Sequence, residues 1–316
     1  MTASGAGHLR GHLGALIAVI VFGASIPLVR LTVTAVPPLT LAVLRFAQGA
    51  VILLILRALV FGGRPKVDRR DVPLLVFLGL LFFAVYPATL NYGLRFTESS
   101  RVALMLTTGP LFAAILGRAL YGDRLLGRQV LGILVATIGV ALVLMDRGLR
   151  LSLSGSTLAG DGLALVASLS ASVYGVLSKP LFRRYGGMTV TTYAMVAGTV
   201  LLAPLMVTED VGGAVGRLHG WVALSVVGLG TIGGAFSFWL YTDALGRLAA
   251  TQVFIYNNLI PIIASVLGVA WLGETVSVYF AAGFVLALVG IALVNWPRRT
   301  GAPAAPRAVA PAGRAV

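Results

Sequence analysis

The sequence predicts an all-α integral membrane protein of ten transmembrane helices, arranged as an inverted 5+5 structural repeat. Composition is the first reason. The 316 residues are 58% hydrophobic and 11% charged, whereas a soluble domain carries about 25% charged residues. So few charges cannot cover a water-facing surface, and most of the solvent must be lipid. The second reason is a succession of apolar runs near the ~20 residues that span a bilayer, separated by short loops. The third is internal repetition. Leu94, Val102, Pro110, Ala113, Leu116, Gly117, Ala119 and Gly122 recur 151 positions later as Leu245, Val253, Pro261, Ala264, Leu267, Gly268, Ala270 and Gly273. Gly132, Ala136, Gly139, Ala141, Leu142 and Val143 recur as Gly283, Ala287, Gly290, Ala292, Leu293 and Val294, fourteen identities in fifty positions. Chance in a chain this rich in Ala, Leu, Val and Gly gives roughly one match in ten.

The spans follow in order. After a short N-terminus at 1–12, the first run covers 13–33 and leads straight into further spans. No small-residue cleavage site followed by a soluble domain interrupts it, so it reads as a helix and not a removable signal. The Pro37-Pro38 turn opens the second span, 38–61, which carries Arg45 and Arg57. The third, 72–93, holds Tyr86 and Tyr92; the fourth, 99–120, holds Thr107, Thr108 and Pro110; the fifth, 127–145, closes a first half at 13–146. A linker at 147–158 leads to a second half at 159–296, whose spans are 159–178 with Tyr174, 190–208 with Tyr193, 221–241, 248–271 with Tyr256, Asn257, Asn258 and Pro261, and 278–296. The tail at 297–316 is rich in Ala, Pro and Arg and reads as disordered.

Charge sets the orientation. With the N-terminus inside, the cytoplasmic segments hold sixteen Lys and Arg residues and the opposite loops six, Arg30, Arg95, Arg101, Arg147, Arg150 and Arg217. Basic residues concentrate on the cytoplasmic side of membrane proteins, so both termini are expected there, in the cell inner (plasma) membrane. The net charge of +14 is this same bias, not a nucleic-acid footprint. Five spans per half, an odd number, insert the second copy upside down. Such inverted repeats place a shared site at mid-membrane, reached from either side by rocking one half against the other.

Other chemistries are poorly served. There is no cysteine, and His8, His12 and His219 lie outside the apolar runs, so neither a thiol nucleophile nor a metal site is expected. Glu98, Asp123, Asp146, Asp161, Glu209, Asp210, Asp243 and Glu274 fall at loops or span ends, and no catalytic constellation forms. Gly228-x-Gly230-x-x-Gly233 matches a dinucleotide fingerprint by letter but lies inside an apolar span, where Gly230 and Gly234 serve close helix packing.

Both halves place a proline within a span and a Gly-acid pair at its end, Pro110 with Gly122-Asp123 and Pro261 with Gly273-Glu274. The first span carries Phe22-Gly23-Ala24-Ser25 and ends in Arg30, the second carries Arg45-Phe46, and the sixth runs from Gly160-Asp161 through Tyr174 to Ser178-Lys179. Over residues 12–297 the chain resembles the EamA-type branch of the drug/metabolite transporter superfamily. Phe22 and Ala171 stand where that family commonly has Trp, and Asp123 where it has Glu. The resemblance implies ten helices, an inverted repeat, and export of small metabolites or amphipathic compounds.

The candidate substrate-binding residues are Arg45, Tyr86, Thr107, Thr108, Tyr174, Tyr256, Asn257 and Asn258, with Pro110 and Pro261 as helix kinks. Each proline lacks an amide hydrogen and frees a carbonyl four residues earlier, at Leu106 and Asn257. In hydrocarbon such a carbonyl needs a partner or water. Polar side chains beside both kinks fit either a central cavity or local satisfaction of the backbone. Arg45 either snorkels outward or faces inward to a substrate carboxylate or a helix C-terminus. Tyr86, Tyr174 and Tyr256 lie deeper than the other polar aromatics. No carboxylate or histidine occupies the middle of a span, and water is expected to reach Glu98, Asp161 and Asp243, which favours facilitated diffusion or exchange over proton coupling.

The expected activity is therefore export or exchange of small organic metabolites, amino-acid-like or amphipathic, by alternating access, with no enzymatic activity and no cofactor. A lipid-linked substrate flippase is the alternative, ahead of an intramembrane enzyme, which would need a mid-membrane acid or metal cluster. The expected partners are the lipid bilayer and a small-molecule substrate, with a homodimer as a candidate assembly.

Overall fold

The computed structural model describes residues 3–61, 67–121, 127–148, 155–248, 253, 256–257 and 259–295. Asn258, the Gly122-Asp123 pair and the tail at 297–316 lie outside them. The described residues form helices and no strands, and seven helices are long and apolar enough to cross a membrane. In chain order they are α1 (Ala3–Thr32), α2 (Pro38–Phe61), α3 (Val72–Phe96), α4 (Ser99–Leu106), α5 (Gly109–Tyr121), α6 (Gly127–Gly148), α7 (Gly155–Leu177), α8 (Lys179–Tyr185), α9 (Gly187–Leu202), α10 (Val211–Gly216), α11 (Gly220–Arg247), α12 (Leu259–Leu272) and α13 (Val278–Asn295). His12, read from sequence as outside the apolar runs, sits within the apolar stretch Gly7–Thr32 of α1.

Three local features shape the bundle. The first is a widened turn in α3, Leu80–Val85, and another in α11, Thr231–Phe236, both π-helical and 151 residues apart. Tyr86 N–H donates to the Leu81 carbonyl, five residues back. Its counterpart Ser237 does the same to Ile232. In α3 the following residue is Pro87, which has no N–H to give the preceding turn and crowds it. An extra residue in that turn relieves the clash. In α11 the Ser237 hydroxyl adds a bond to the Ile232 carbonyl at 2.7 Å. Such bulges are frequent where a helix must present side chains to a site.

The second feature is the break between α4 and α5 at Pro110. Thr107 N–H and Thr108 N–H donate to the Leu104 and Met105 carbonyls in a tightened turn. The Leu106 carbonyl that Pro110 cannot satisfy accepts the Ser168 hydroxyl of α7 at 3.2 Å. One turn on, the Ser172 hydroxyl reaches the Gly109 carbonyl at 2.9 Å. Residues four apart share a helix face, so α7 presents a hydroxyl pair to the broken segment. At Pro261 the outcome differs from the sequence expectation. The Asn257 carbonyl is not freed, because Ile260 N–H turns back onto it at 3.1 Å.

The third is the crossing of α6 and α13. A Cβ on Gly139 would lie 2.5 Å from the Gly283 carbonyl oxygen, and one on Gly290 2.5 Å from that of Gly132. Gly132 and Gly139 are the counterparts of Gly283 and Gly290, so each helix offers the other the same small-residue face. The contact pairs later residues of one helix with earlier residues of the other, so the two run antiparallel. Backbones this close are held by van der Waals contact, the main attraction between helices in lipid.

Candidate functional site

An aromatic cluster fills the middle of the bundle. Phe82, in the π turn of α3, stacks on Tyr174 of α7 at 4.4 Å between ring centroids and on Tyr86 at 5.2 Å. Phe83 meets Phe46 of α2 at 5.5 Å and Phe238 of α11 at 5.6 Å. Phe22 of α1 continues the cluster to Phe238 at 5.2 Å and Tyr241 at 5.9 Å. The π turns place these rings: the one in α3 carries Phe82 and Phe83, and the one in α11 ends two residues before Phe238.

Arg45 lies at the edge of this cluster. It is 7% exposed, so it does not snorkel outward. Its guanidinium sits 5.0 Å from the Phe46 ring centroid and within electrostatic reach of the Tyr86 hydroxyl. Its buried Nε has no hydrogen-bond partner among the described residues. Gly233 makes room for it: a Cβ there would stand 3.7 Å from Nη2 and 3.0 Å from the Ser25 hydroxyl. Arg57, also buried in α2, lies over the Tyr193 ring at 5.5 Å.

The remaining sequence candidates separate into two groups. The Thr107 and Thr108 hydroxyls bond the Leu104 and Met105 carbonyls at 2.6 and 2.7 Å, and Thr108 also reaches the Ser168 hydroxyl at 3.0 Å. They serve the helix break and the α7 contact, because a free hydroxyl beside loosened backbone finds those carbonyls first. Tyr256 and Asn257 sit on the other side of α1. The Tyr256 hydroxyl is 3.0 Å from His12 Nδ1, and Asn257 Nδ2 donates to the Tyr241 hydroxyl at 2.9 Å. The structure thus gathers Arg45, Tyr86 and Tyr174, sets Thr107 and Thr108 against α7, and, among the described residues, joins Tyr256 and Asn257 to the cluster through Tyr241 and Phe22. Phe82, Phe83 and Phe238 were not anticipated, since a Phe in an apolar run carries no distinguishing pattern.

Beside the hydroxyl contacts of α7 at the helix break, carboxylate contacts between the first and second halves collect at the two ends of the bundle, and the ends differ. At the end where α1 begins, Asp71 takes bonds from Arg184 at 2.7 Å and the Tyr185 hydroxyl at 2.6 Å, and Asp243 meets Arg10 at 3.8 Å. Tyr185 is held protonated above the usual phenol range, chiefly by its bond to Asp71. Arg184 and Arg10 are largely exposed, so these pairs contribute little.

At the far end two carboxylates, Glu274 and Asp161, are buried. Glu274 accepts Ser99 N–H at 2.7 Å, the Ser99 hydroxyl at 2.7 Å and Ser100 N–H at 3.0 Å, with Arg30 Nε at 3.5 Å. It thereby caps α4, where unpaired amides and the helix dipole favour an anion. The backbone aims it there. Gly273, at φ 63°, lets Glu274 N–H bond the Gly268 carbonyl and its own N–H bond Val269, a left-handed cap that reverses the chain. Gly268 leaves space for the carboxylate, since a Cβ there would lie 2.5 Å from Oε2. Asp161 is 1% exposed and bonded by Arg101 and the Thr97 hydroxyl. That corrects the expectation that water reaches it, because the fold brings it a guanidinium from 60 residues away in sequence. Glu209 caps α2 through Leu39 N–H at 3.0 Å and Thr40 N–H at 2.8 Å, and accepts the Tyr92 hydroxyl at 2.9 Å.

The profile of the EamA-like transporter family matches residues 9–145 and again residues 158–296. The chain belongs to the EamA-like transporter family. It is 29% identical over 286 residues to a probable terminal-alkyne amino-acid exporter of Streptantibioticus cattleyicolor, covering 90% of this chain and 92% of the exporter. It is 26% identical to the uncharacterized transporter YyaM of Bacillus subtilis, covering 90% and 93%. One crystal structure of a protein superposes with a TM-score of 0.65 at 22% identity, covering 90% of this chain and 94% of that one, a likeness of fold. As a member of this family of membrane transporters, the chain is a multi-pass membrane protein.

Proposed function

We propose that the chain is a ten-span exporter or exchanger of small organic metabolites, built from inverted halves at 13–146 and 159–296 that rock about the aromatic cluster. Both termini are cytoplasmic, and the membrane is the cell inner (plasma) membrane. The observation that carries this reading is the segregation of the carboxylate contacts between the halves. They lie at the two ends, with Glu274 and Asp161 buried at one and the Asp71 and Asp243 pairs open to water at the other, and an aromatic core between. Such an arrangement lets one end open while the other stays closed. The antiparallel, reciprocal packing of α6 on α13 supports the inverted relation of the halves. The exporter among the relatives supports amino-acid-like solutes as cargo and the outward direction.

Every described carboxylate with a bonded partner is engaged at a bundle end, which supports facilitated diffusion or exchange driven by the substrate gradient. The test is counterflow into proteoliposomes preloaded with amino acids, nucleosides, cationic drugs or polyamines. Trans-stimulated uptake of amino-acid-like solutes without a pH gradient is expected. Uptake that requires an imposed proton gradient overturns the uncoupled mechanism. Absence of exchange for every class overturns the exporter reading.

A further inference from the structure

A guanidinium shut away from water without an anion is costly, and folded proteins normally pair such a group. Arg45 is 93% shielded, its buried Nε has no hydrogen-bond partner among the described residues, and none of their carboxylates forms an ion pair with it. The carboxylates that could neutralise it are committed elsewhere: Asp161 to Arg101, Glu274 to α4 and Arg30, Asp243 to Arg247, and Asp71 to Arg184. Its companions include the Phe46 face, the Tyr86 hydroxyl and Gly233 in the π turn of α11, where a Cβ would stand 3.7 Å from Nη2. The counterpart of Gly233 in the first half is Phe82, the ring on which Tyr86 and Tyr174 stack. One π turn therefore supplies an aromatic wall, and the other a residue without a side chain beside the cation.

We propose that Arg45 is the anion-recognition residue of the transport site, taking the carboxylate of a solute whose compact apolar body lies against Phe46, Phe82 and Tyr174. This rests on the transporter reading above. The planar guanidinium offers paired N–H groups matched to a carboxylate. The aromatic faces accept an apolar chain, and their negative π surface accepts an α-ammonium group without a second acid. α-Amino acids with short uncharged side chains fit all three demands. Solutes with a second negative charge and no apolar body fit poorly.

The test uses the full chain in proteoliposomes, with L-leucine, L-phenylalanine and a five-carbon terminal-alkyne α-amino acid as probes, each beside its primary amide. The amide keeps the shape and removes the anion. The native chain is expected to exchange the acids at least about tenfold faster than the amides, the discrimination a charged hydrogen bond supplies. Arg45→Gln should bring acids and amides to the same low rate, and Arg45→Lys should keep part of the preference. Because the change removes an unpaired buried charge, Arg45→Gln should unfold at the same or a higher temperature, a readout that a merely structural arginine would move downward. Equal rates for acids and amides in the native chain, a preserved acid preference in Arg45→Gln, or a lowered unfolding temperature in Arg45→Gln overturns the assignment. Exchange of solutes lacking a carboxylate, with none of the acids, overturns it while leaving the transporter reading intact.

Discussion

Replacing Glu274 with Ala should open the far end. The side chain is 2% exposed and accepts from Ser99 N–H, the Ser99 hydroxyl and Ser100 N–H, with Arg30 alongside. Removing one partner of a buried charge pair costs about 3–5 kcal/mol. Here the donors left behind include the first amides of α4, which must then find water. Water is available only if the end opens, so the cost falls on the closed state. At about 1.4 kcal/mol per factor of ten, the balance should move about 100- to 4,000-fold toward opening. The chain has no cysteine, so a single introduced cysteine reports without background. Val29 and Val102 are fully buried below the Glu274 contact. A cysteine at either position should react with a membrane-impermeant maleimide from the far side about 100-fold faster in the Glu274→Ala background. Unchanged labelling, with normal abundance in the membrane, would refute the role assigned to this carboxylate.

Three further outcomes are expected. Gly139→Val or Gly290→Val forces α6 off α13, and thermal unfolding should show a loss of at least about 1–3 kcal/mol. Ser168→Ala leaves the Leu106 carbonyl without its hydroxyl partner and should cost about 1–3 kcal/mol in the same assay, while Thr107→Ser, which keeps the hydroxyl, should cost less. The Tyr185–Asp71 contact depends on a protonated phenol whose pKa is raised in the folded chain. Its contribution is complete below the ordinary phenol value of about 10 and is lost only as pH rises through the higher folded value. Cysteine labelling at the α1-start end should therefore show a constant contribution from Tyr185 between pH 6 and 9, measured as an unchanging ratio of native to Tyr185→Phe rates across that range.

Helices form close to where the apolar runs suggest, because in lipid the backbone has few alternatives. The 151-residue offset also had a physical meaning that could be read in advance: Gly132, Gly139, Gly283 and Gly290 are the surface on which α6 meets α13. Gly273-Glu274, noticed as a motif, is a left-handed cap that delivers a carboxylate to α4. The paired π turns were not legible, since Leu80–Val85 and Thr231–Phe236 share only Ala84 and Ala235 at equivalent positions and their geometry comes from Pro87 and from packing. Asp161 looked solvated at a span end because nothing local shows that Arg101 will reach it. Thr107 and Thr108 looked like cavity lining for a similar reason. The hydroxyls of α7 that complete the helix break stand about 60 residues away, and only the fold brings them together.

The central claim is that the two halves rock so that the ends open in alternation. Spin labels on Thr34 and Thr275 would report the far end, and labels on Arg70 and Arg183 the end where α1 begins. All four side chains are exposed, and each pair joins one half to the other. Distance distributions in lipid bilayers, for the native chain and for Glu274→Ala, test the claim most directly. The far-end distance should lengthen in Glu274→Ala while the other shortens, as two populations exchanging weight in opposite senses. Distances that stay single and unchanged, or that lengthen together at both ends, would contradict it.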